Sequence, residues 1–167
     1  MPYTVITIRP EHWVDFRDIR LRMLADTPIA FGETLEHAQA ASEASWLARV
    51  ARATQPDRTA VAALDEDGRW VGTMSAYLSE PGAVTVAAVW VDPDQRGAEA
   101  GVADMLMTAI TDWARTTAKA ARLRLAVHEA NERATAYFGR VGFEPTGETQ
   151  PYELEPGGDT RIMQRDL

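Results

Sequence analysis

The chain has 167 residues, a formal net charge of -8, 46% hydrophobic residues and no cysteine. That is enough for one domain, residues 1–167, to bury a core without disulfides or metal, and no arginine or lysine run offsets the charge that would repel nucleic acid. Without cysteine there is no thiol nucleophile, thiolate metal site or disulfide, which agrees with a reducing cytoplasm as the expected location, with no metal as a ligand.

The opening residues MPYTVITIRP lack the basic and apolar regions of a signal peptide and alternate as a first strand, Tyr3 to Arg9, stopped by Pro10. From Glu11 to Asp26, Trp13, Phe16, Ile19, Met23 and Leu24 mark an amphipathic helix, and Thr27-Pro28 breaks it. A loop over Ile29–Thr34 leads to a second helix that starts at Leu35 or Ser42 and ends near Ala53, with Ser42-Glu43-Ala44-Ser45 suited to cap its second half. Three strands follow, Thr59–Asp65, Trp70–Ser79 and Ala83–Val91, joined by the turns Asp65-Glu66-Asp67-Gly68 and Glu80-Pro81-Gly82.

A periodic helix then begins at about Gly101, because Val102, Met105, Leu106, Ala109, Ile110 and Trp113 repeat at close to 3.6 residues. Arg122–His128 is the next strand, and Arg122 and Arg124 are an isolated pair on one of its faces. Asn131 is a good N-cap for a short helix with Ala134, Tyr137, Phe138 and Val141 inward, ended by Gly142. Phe143–Thr146 starts another strand, and Arg161–Asp166 is the last, after the loop Pro156-Gly157-Gly158. The order predicts an α+β (mixed α/β) domain on a mixed sheet. No apolar segment is long enough to span a membrane.

The stretch after Val91, VDPDQRGAEAG, joins a strand to a helix through a small-residue loop. Such a junction leaves several backbone N–H groups pointing one way at the positive end of a helix dipole, which suits an anion such as phosphate. Neither the dinucleotide nor the Walker A glycine pattern is present, so on this pattern alone a plain turn into a core helix is equally open. Some forty residues on, Val127, Asn131, Ala134, Tyr137 and Gly142-Phe143 form a second motif, V-x-x-x-N-x-x-A-x-x-Y-x-x-x-x-G-F.

Together the two motifs closely resemble the GCN5-related N-acetyltransferases, as does the entry Leu21-Arg22-Met23-Leu24 followed by Pro28-x-Ala30-Phe31-Gly32. The resemblance implies the GNAT-like acyl-CoA N-acyltransferase fold, a central, mostly antiparallel sheet of about seven strands flanked by about four helices. It implies acetyl-CoA as cosubstrate and an amine acceptor, attacked directly without a covalent enzyme intermediate. Val89, Trp90 and Val91 would offer backbone groups to the acetyl carbonyl and pantetheine. Arg96, Gly97, Ala100, Gly101, Val102 and Ala103 would cradle the pyrophosphate, and Asn131 would reach the coenzyme arm. Tyr137 would protonate the departing thiolate, a task that suits a phenol of pKa near 10. An acidic surface suits a cationic amine, although solubility is the commoner reason for negative charge.

Two departures stand out. Ala126 occupies the position where several relatives place a glutamate base, which leaves Glu33, His128 and Glu129 as candidates. The helix phase makes Gly101-Val102-Ala103 the match to the family's G-x-G/A, so two residues within Ala98–Ala100 are extra; an ungapped match would set Glu99 against the pyrophosphate. These departures motivate a second reading, a non-catalytic protein of this fold that binds CoA weakly or not at all and acts as a binding or regulatory module. The acceptor pocket is expected between the first two helices, Phe31-Gly32-Glu33 and the Pro151–Asp159 segment, and a homodimer is compatible with the family.

Overall fold

The computed structural model describes residues 2–154 and 157–167, so Pro156 of the expected last loop lies outside the described residues. The elements in chain order are β1 (Thr4–Thr7), α1 (Trp13–Asp26), α2 (Leu35–Ala40), α3 (Glu43–Ala53), β2 (Arg58–Leu64), β3 (Trp70–Glu80), β4 (Ala83–Val91), α4 (Val102–Thr116), β5 (Arg122–His128), α5 (Glu132–Arg140), β6 (Glu144–Pro151) and β7 (Asp159–Asp166). All seven strands form one sheet in the order β1-β2-β3-β4-β5-β7-β6, antiparallel throughout except where β4 meets β5. This is the expected mixed sheet, with five helices instead of about four.

The extra helix comes from one local break. Ala41 and Ser42 are extended, and the Ser42 hydroxyl accepts the Ser45 N–H, so the expected second helix ends at Ala40 and restarts at Glu43. The first helix also starts later than expected, because Pro10–His12 forms a single 3-10 turn closed by the Arg9 N–H on the His12 ring. Phe143 is buried just ahead of β6 and is not part of it.

The sheet is covered on both faces. On one, Ala60 and Ala62 pack with Ile19, Met23 and Val50 of α1 and α3; on the other, Val61, Val71, Met74 and Ala76 pack with Val102, Leu106, Met107 and Ile110 of α4. The buried stripe of α4 is Val102, Leu106, Ile110 and Ala114, flanked by Met107 and Thr111, so it is rotated slightly from the expected one. Met105, Ala109 and Trp113 are only half-buried, at the edge of that stripe. α4 lies unusually close to β3 at Gly72, where a Cβ would meet Leu106 and Val102 at 3.1 Å. Full burial of such aliphatic side chains stabilises by about 1.5–3 kcal/mol each.

Candidate active site

Two irregularities in the sheet create the site. β4 pairs in parallel with β5 only from Ala83 to Thr85, against Arg122 to Arg124; beyond that the strands diverge, while β5 keeps its pairing with β7 as far as His128. Val86–Val91 and Leu125–His128 therefore face each other across a wedge with backbone groups that no strand satisfies. The second irregularity is a bulge. The β3–β4 register passes from Thr73↔Trp90 to Ser75↔Ala87, which sets Ala88 and Val89 opposite Met74 alone, and Ala88 takes φ 53. A non-glycine residue in that conformation is strained and is held only because the surrounding sheet fixes it.

The wedge is the wall of a cavity of about 530 Å³. Of the residues expected to bind the cosubstrate or act in transfer, Val89, Trp90, Val91, Arg96, Gly97, Gly101, Ala103, Asn131 and Tyr137 line it. Ala100 and Val102 do not, because they pack into the core beneath α4, which leaves only their main chain for a ligand. At the entrance to α4, Gly97 and Gly101 have φ 111 and 69, and the Gly101 N–H donates to the Gly97 carbonyl at 3.2 Å. The loop thus closes on itself in a turn, and Glu99 is not in the cavity wall. Beyond it the first-turn N–H groups of α4 point out of the helix end.

Arg96 is not free to reach into this loop. Its Nε donates to the Val91 carbonyl at 2.8 Å and a terminal nitrogen donates to Asp26, which also receives the Trp90 indole N–H. Burial alone would raise the Asp26 pKa, but the hydrogen bonds from Thr27, Trp90 and Arg96 and the Arg96 charge bring it to about 2. The arginine therefore ties the end of β4 to the end of α1. Asp92 fixes the same corner: it caps the turn Pro93–Gln95 and receives Arg22 at 3.2 Å and Arg69 at 2.9 Å.

Tyr137 is half-buried, and its hydroxyl donates to Asp104 at 3.3 Å. Burial first, then the Asp104 charge and hydrogen bond, raise its pKa above the ordinary phenol value, against a weaker pull from Arg140 and Arg165. The phenol is therefore protonated at any physiological pH. Asn131 caps α5 by accepting the Ala134 N–H at 3.3 Å. Arg133 and Arg140, both exposed, bring positive charge to the cavity rim.

The three candidate bases fare differently. The Glu129 carboxylate accepts the Asp159 N–H and is not in the cavity wall. His128 is in the wall, but Nδ1 accepts the Ala130 N–H at 3.0 Å, which leaves the proton of the neutral ring on Nε2, 3.3 Å from the Gly157 carbonyl. Glu33 lies in a second cavity of about 730 Å³ that meets the first at Phe31 and Ala88. Its two oxygens receive both Arg49 terminal nitrogens, at 3.1 and 2.9 Å, Arg20 at 3.1 Å and the His37 ring at 2.8 Å. Burial would raise its pKa, but the bonds from Arg49 and His37 and the Arg20 charge win and lower it to about 2. Burial instead lowers the pKa of Arg20 despite the same contact. The guanidinium nevertheless stays charged at any relevant pH.

The second cavity occupies the expected acceptor region: α1, the Phe31–Thr34 loop, α3 and Leu154. Sequence reasoning missed its arginine–glutamate cluster and the Arg96–Asp26 tie. Arg20, Glu33 and Arg49 belong to three separate segments, and no local pattern marks them as partners.

A mixed sheet whose central parallel pair splays open beside a bulge, next to a helix N-terminus, defines an acyl-CoA N-acyltransferase fold. The model of the acetyltransferase (GNAT) family matches residues 13–143, and the chain belongs to that family; it is an acyltransferase that uses acetyl-CoA. Similar solved structures include a GNAT-family acetyltransferase from Streptococcus pneumoniae, 14% identical with a TM-score of 0.80 and 99% of each chain covered. An acetyltransferase from Salmonella typhimurium solved with its cofactor acetyl-CoA is 17% identical, with a TM-score of 0.78 over 100% of this chain and 95% of that one. The PaiA N-acetyltransferase of Thermoplasma acidophilum, in complex with coenzyme A, is 13% identical with a TM-score of 0.75 and 100% of each chain covered. At these identities the likeness is one of fold. No match is found among the curated proteins. Among the described residues no helix is long and apolar enough to cross a membrane.

Proposed function

We propose that the protein transfers the acetyl group of acetyl-CoA to a primary amine by direct attack. The observation that carries this reading is the wedge between β4 and β5, which runs from the strained Ala88 to Tyr137 and the N-terminus of α4. Its apolar strands suit a flexible arm, the β4 main chain beside the bulge is free to donate to a carbonyl oxygen, and the α4 N-terminus suits a pyrophosphate. Acetyl-CoA supplies the activated thioester.

In this scheme the amine enters from the second cavity past Phe31, and its nitrogen must be neutral to attack. The new C–N bond forms as the C–S bond breaks, and Tyr137 gives its proton to the leaving sulfur. The raised pKa keeps the phenol protonated at rest; because a thiolate is a weaker base than the phenolate, the proton passes to sulfur only as the C–S bond breaks, and the proton released by the newly acetylated nitrogen restores the phenol. Glu33 is too weak a base to take the ammonium proton and serves to hold Arg20 and Arg49. His128 is the candidate base that reaches the cleft, and it must release the Ala130 N–H to act.

Calorimetry with acetyl-CoA and a thiol-release assay over an amine panel test the proposal. Saturable binding with acceptor-dependent thiol release supports it. No binding at millimolar acetyl-CoA rejects it in favour of a non-catalytic module.

A further inference from the structure

The charge of the second cavity runs against that of the protein. In a chain of net charge -8, its wall holds, among the described residues, four arginines, Arg20, Arg49, Arg52 and Arg58, and one carboxylate, Glu33. Glu33 is fully engaged by Arg20, Arg49 and His37, so it has no charge left to offer the rest of the wall. Arg52 and Arg58 have no carboxylate within ion-pair distance among the described residues.

Arg58 is moreover a prepared group. Its guanidinium lies 5.0 Å from the Tyr77 ring centre, a cation–π contact, and its Nε is buried, so only the terminal nitrogens can meet a ligand. A guanidinium can only donate, so two of them without a carboxylate partner in one cavity wall favour a ligand that accepts hydrogen bonds and carries negative charge.

The sheet sets the spacing. Ala60 pairs with Ser75, which pairs with Ala87 next to the bulge, and Arg58 lies two residues before Ala60 along β2. Two strand spacings put Arg58 on a strand about 10 Å from that of Ala88. Spanned in part by the arginine side chain, that gap suits a small molecule whose anionic and amino groups lie at opposite ends.

We propose that the acceptor is a small amine that also carries an oxyanion, a carboxylate or phosphonate, bound by Arg58 and Arg52, with its amine directed toward Ala88. The oxyanion site rests on the acetyl-transfer reading for its role and on the cavity for its existence.

The test pairs amino acids and aminophosphonates with their amides or with the matching amines that lack the acid. Each is assayed with the full-length protein by thiol release in acetyl-CoA and by calorimetry in CoA. Acid-bearing acceptors of one or both kinds are expected to exceed their neutral counterparts by about tenfold or more in kcat/KM. Arg58→Gln should raise KM for the acid about tenfold or more, with KM for the neutral amine and affinity for acetyl-CoA unchanged, and Arg58→Lys should recover part of the preference. Arg52→Gln, at an exposed position, should act in the same direction. Equal or better use of neutral amines overturns the proposal, as does a preference that survives when Arg52→Gln and Arg58→Gln are combined, or a protein that binds acetyl-CoA yet neither binds nor acetylates any acid-bearing amine. Loss of acetyl-CoA binding would defeat the transfer reading alone, because acid binding by calorimetry still judges the cavity.

Discussion

Replacing Glu33 with glutamine removes one charge and leaves Arg20 and Arg49, each with a side chain 21% exposed, facing each other across a neutral amide. The shift of the Glu33 pKa from 4.5 to about 2 corresponds to about 3 kcal/mol of native-state stabilisation at neutral pH. With the solvation that remains in the open cavity, we take about 2 kcal/mol. For a chain of this length that predicts a melting temperature lower by about 4–8 °C at pH 7. Because the folded-state pKa lies below the unfolded one, the stabilisation is complete above about pH 4.5 and fades as the pH falls toward 2. The gap between wild type and Glu33→Gln in urea midpoint should accordingly shrink by about half between pH 7 and pH 3. A variant that melts within about 2 °C of wild type at pH 7, or a gap independent of pH, would refute the claim that this carboxylate anchors the acceptor wall.

Tyr137→Phe should lower kcat by about 10²-fold or more with acetyl-CoA affinity retained in calorimetry; an unchanged kcat would remove the phenol from the proton path. Asp104→Asn removes a carboxylate from the α4 entrance and the partner of the Tyr137 hydroxyl, so acetyl-CoA should bind about three- to fivefold more tightly, and weaker binding would count against a phosphate site there. Gly101→Ala, at φ 69, should cost about 1–2 kcal/mol in chemical denaturation and weaken acetyl-CoA binding at the same time; loss of stability with intact binding would separate the turn from the site.

Much of this protein is written locally. β5 has the bounds its alternation predicts, because a half-buried strand needs period-two side chains wherever it lies, and β4 starts where the expected Glu80-Pro81-Gly82 turn ends. Asn131 caps α5 as its type and position predict, since capping involves only residues three apart. The two spaced motifs named the family, and Val89, Trp90, Val91, Gly101, Asn131 and Tyr137 do converge on one cleft. The split between α2 and α3 was half legible, in the Ser42 capping pattern.

Tertiary structure decided what depends on distant segments. Arg96 reads as a phosphate ligand from its loop, yet Asp26, seventy residues away, holds its guanidinium against the end of β4. Glu33 reads as a base until Arg20, Arg49 and His37 surround it and hold its pKa near 2. The overall charge of -8 suggested affinity for cations, whereas the second cavity gathers arginines. Sequence sets each residue's chemistry and its neighbours within a turn or two of chain. The proton affinity of a carboxylate and the freedom of a guanidinium depend on charges a few ångströms away in space, which only the packed fold brings together.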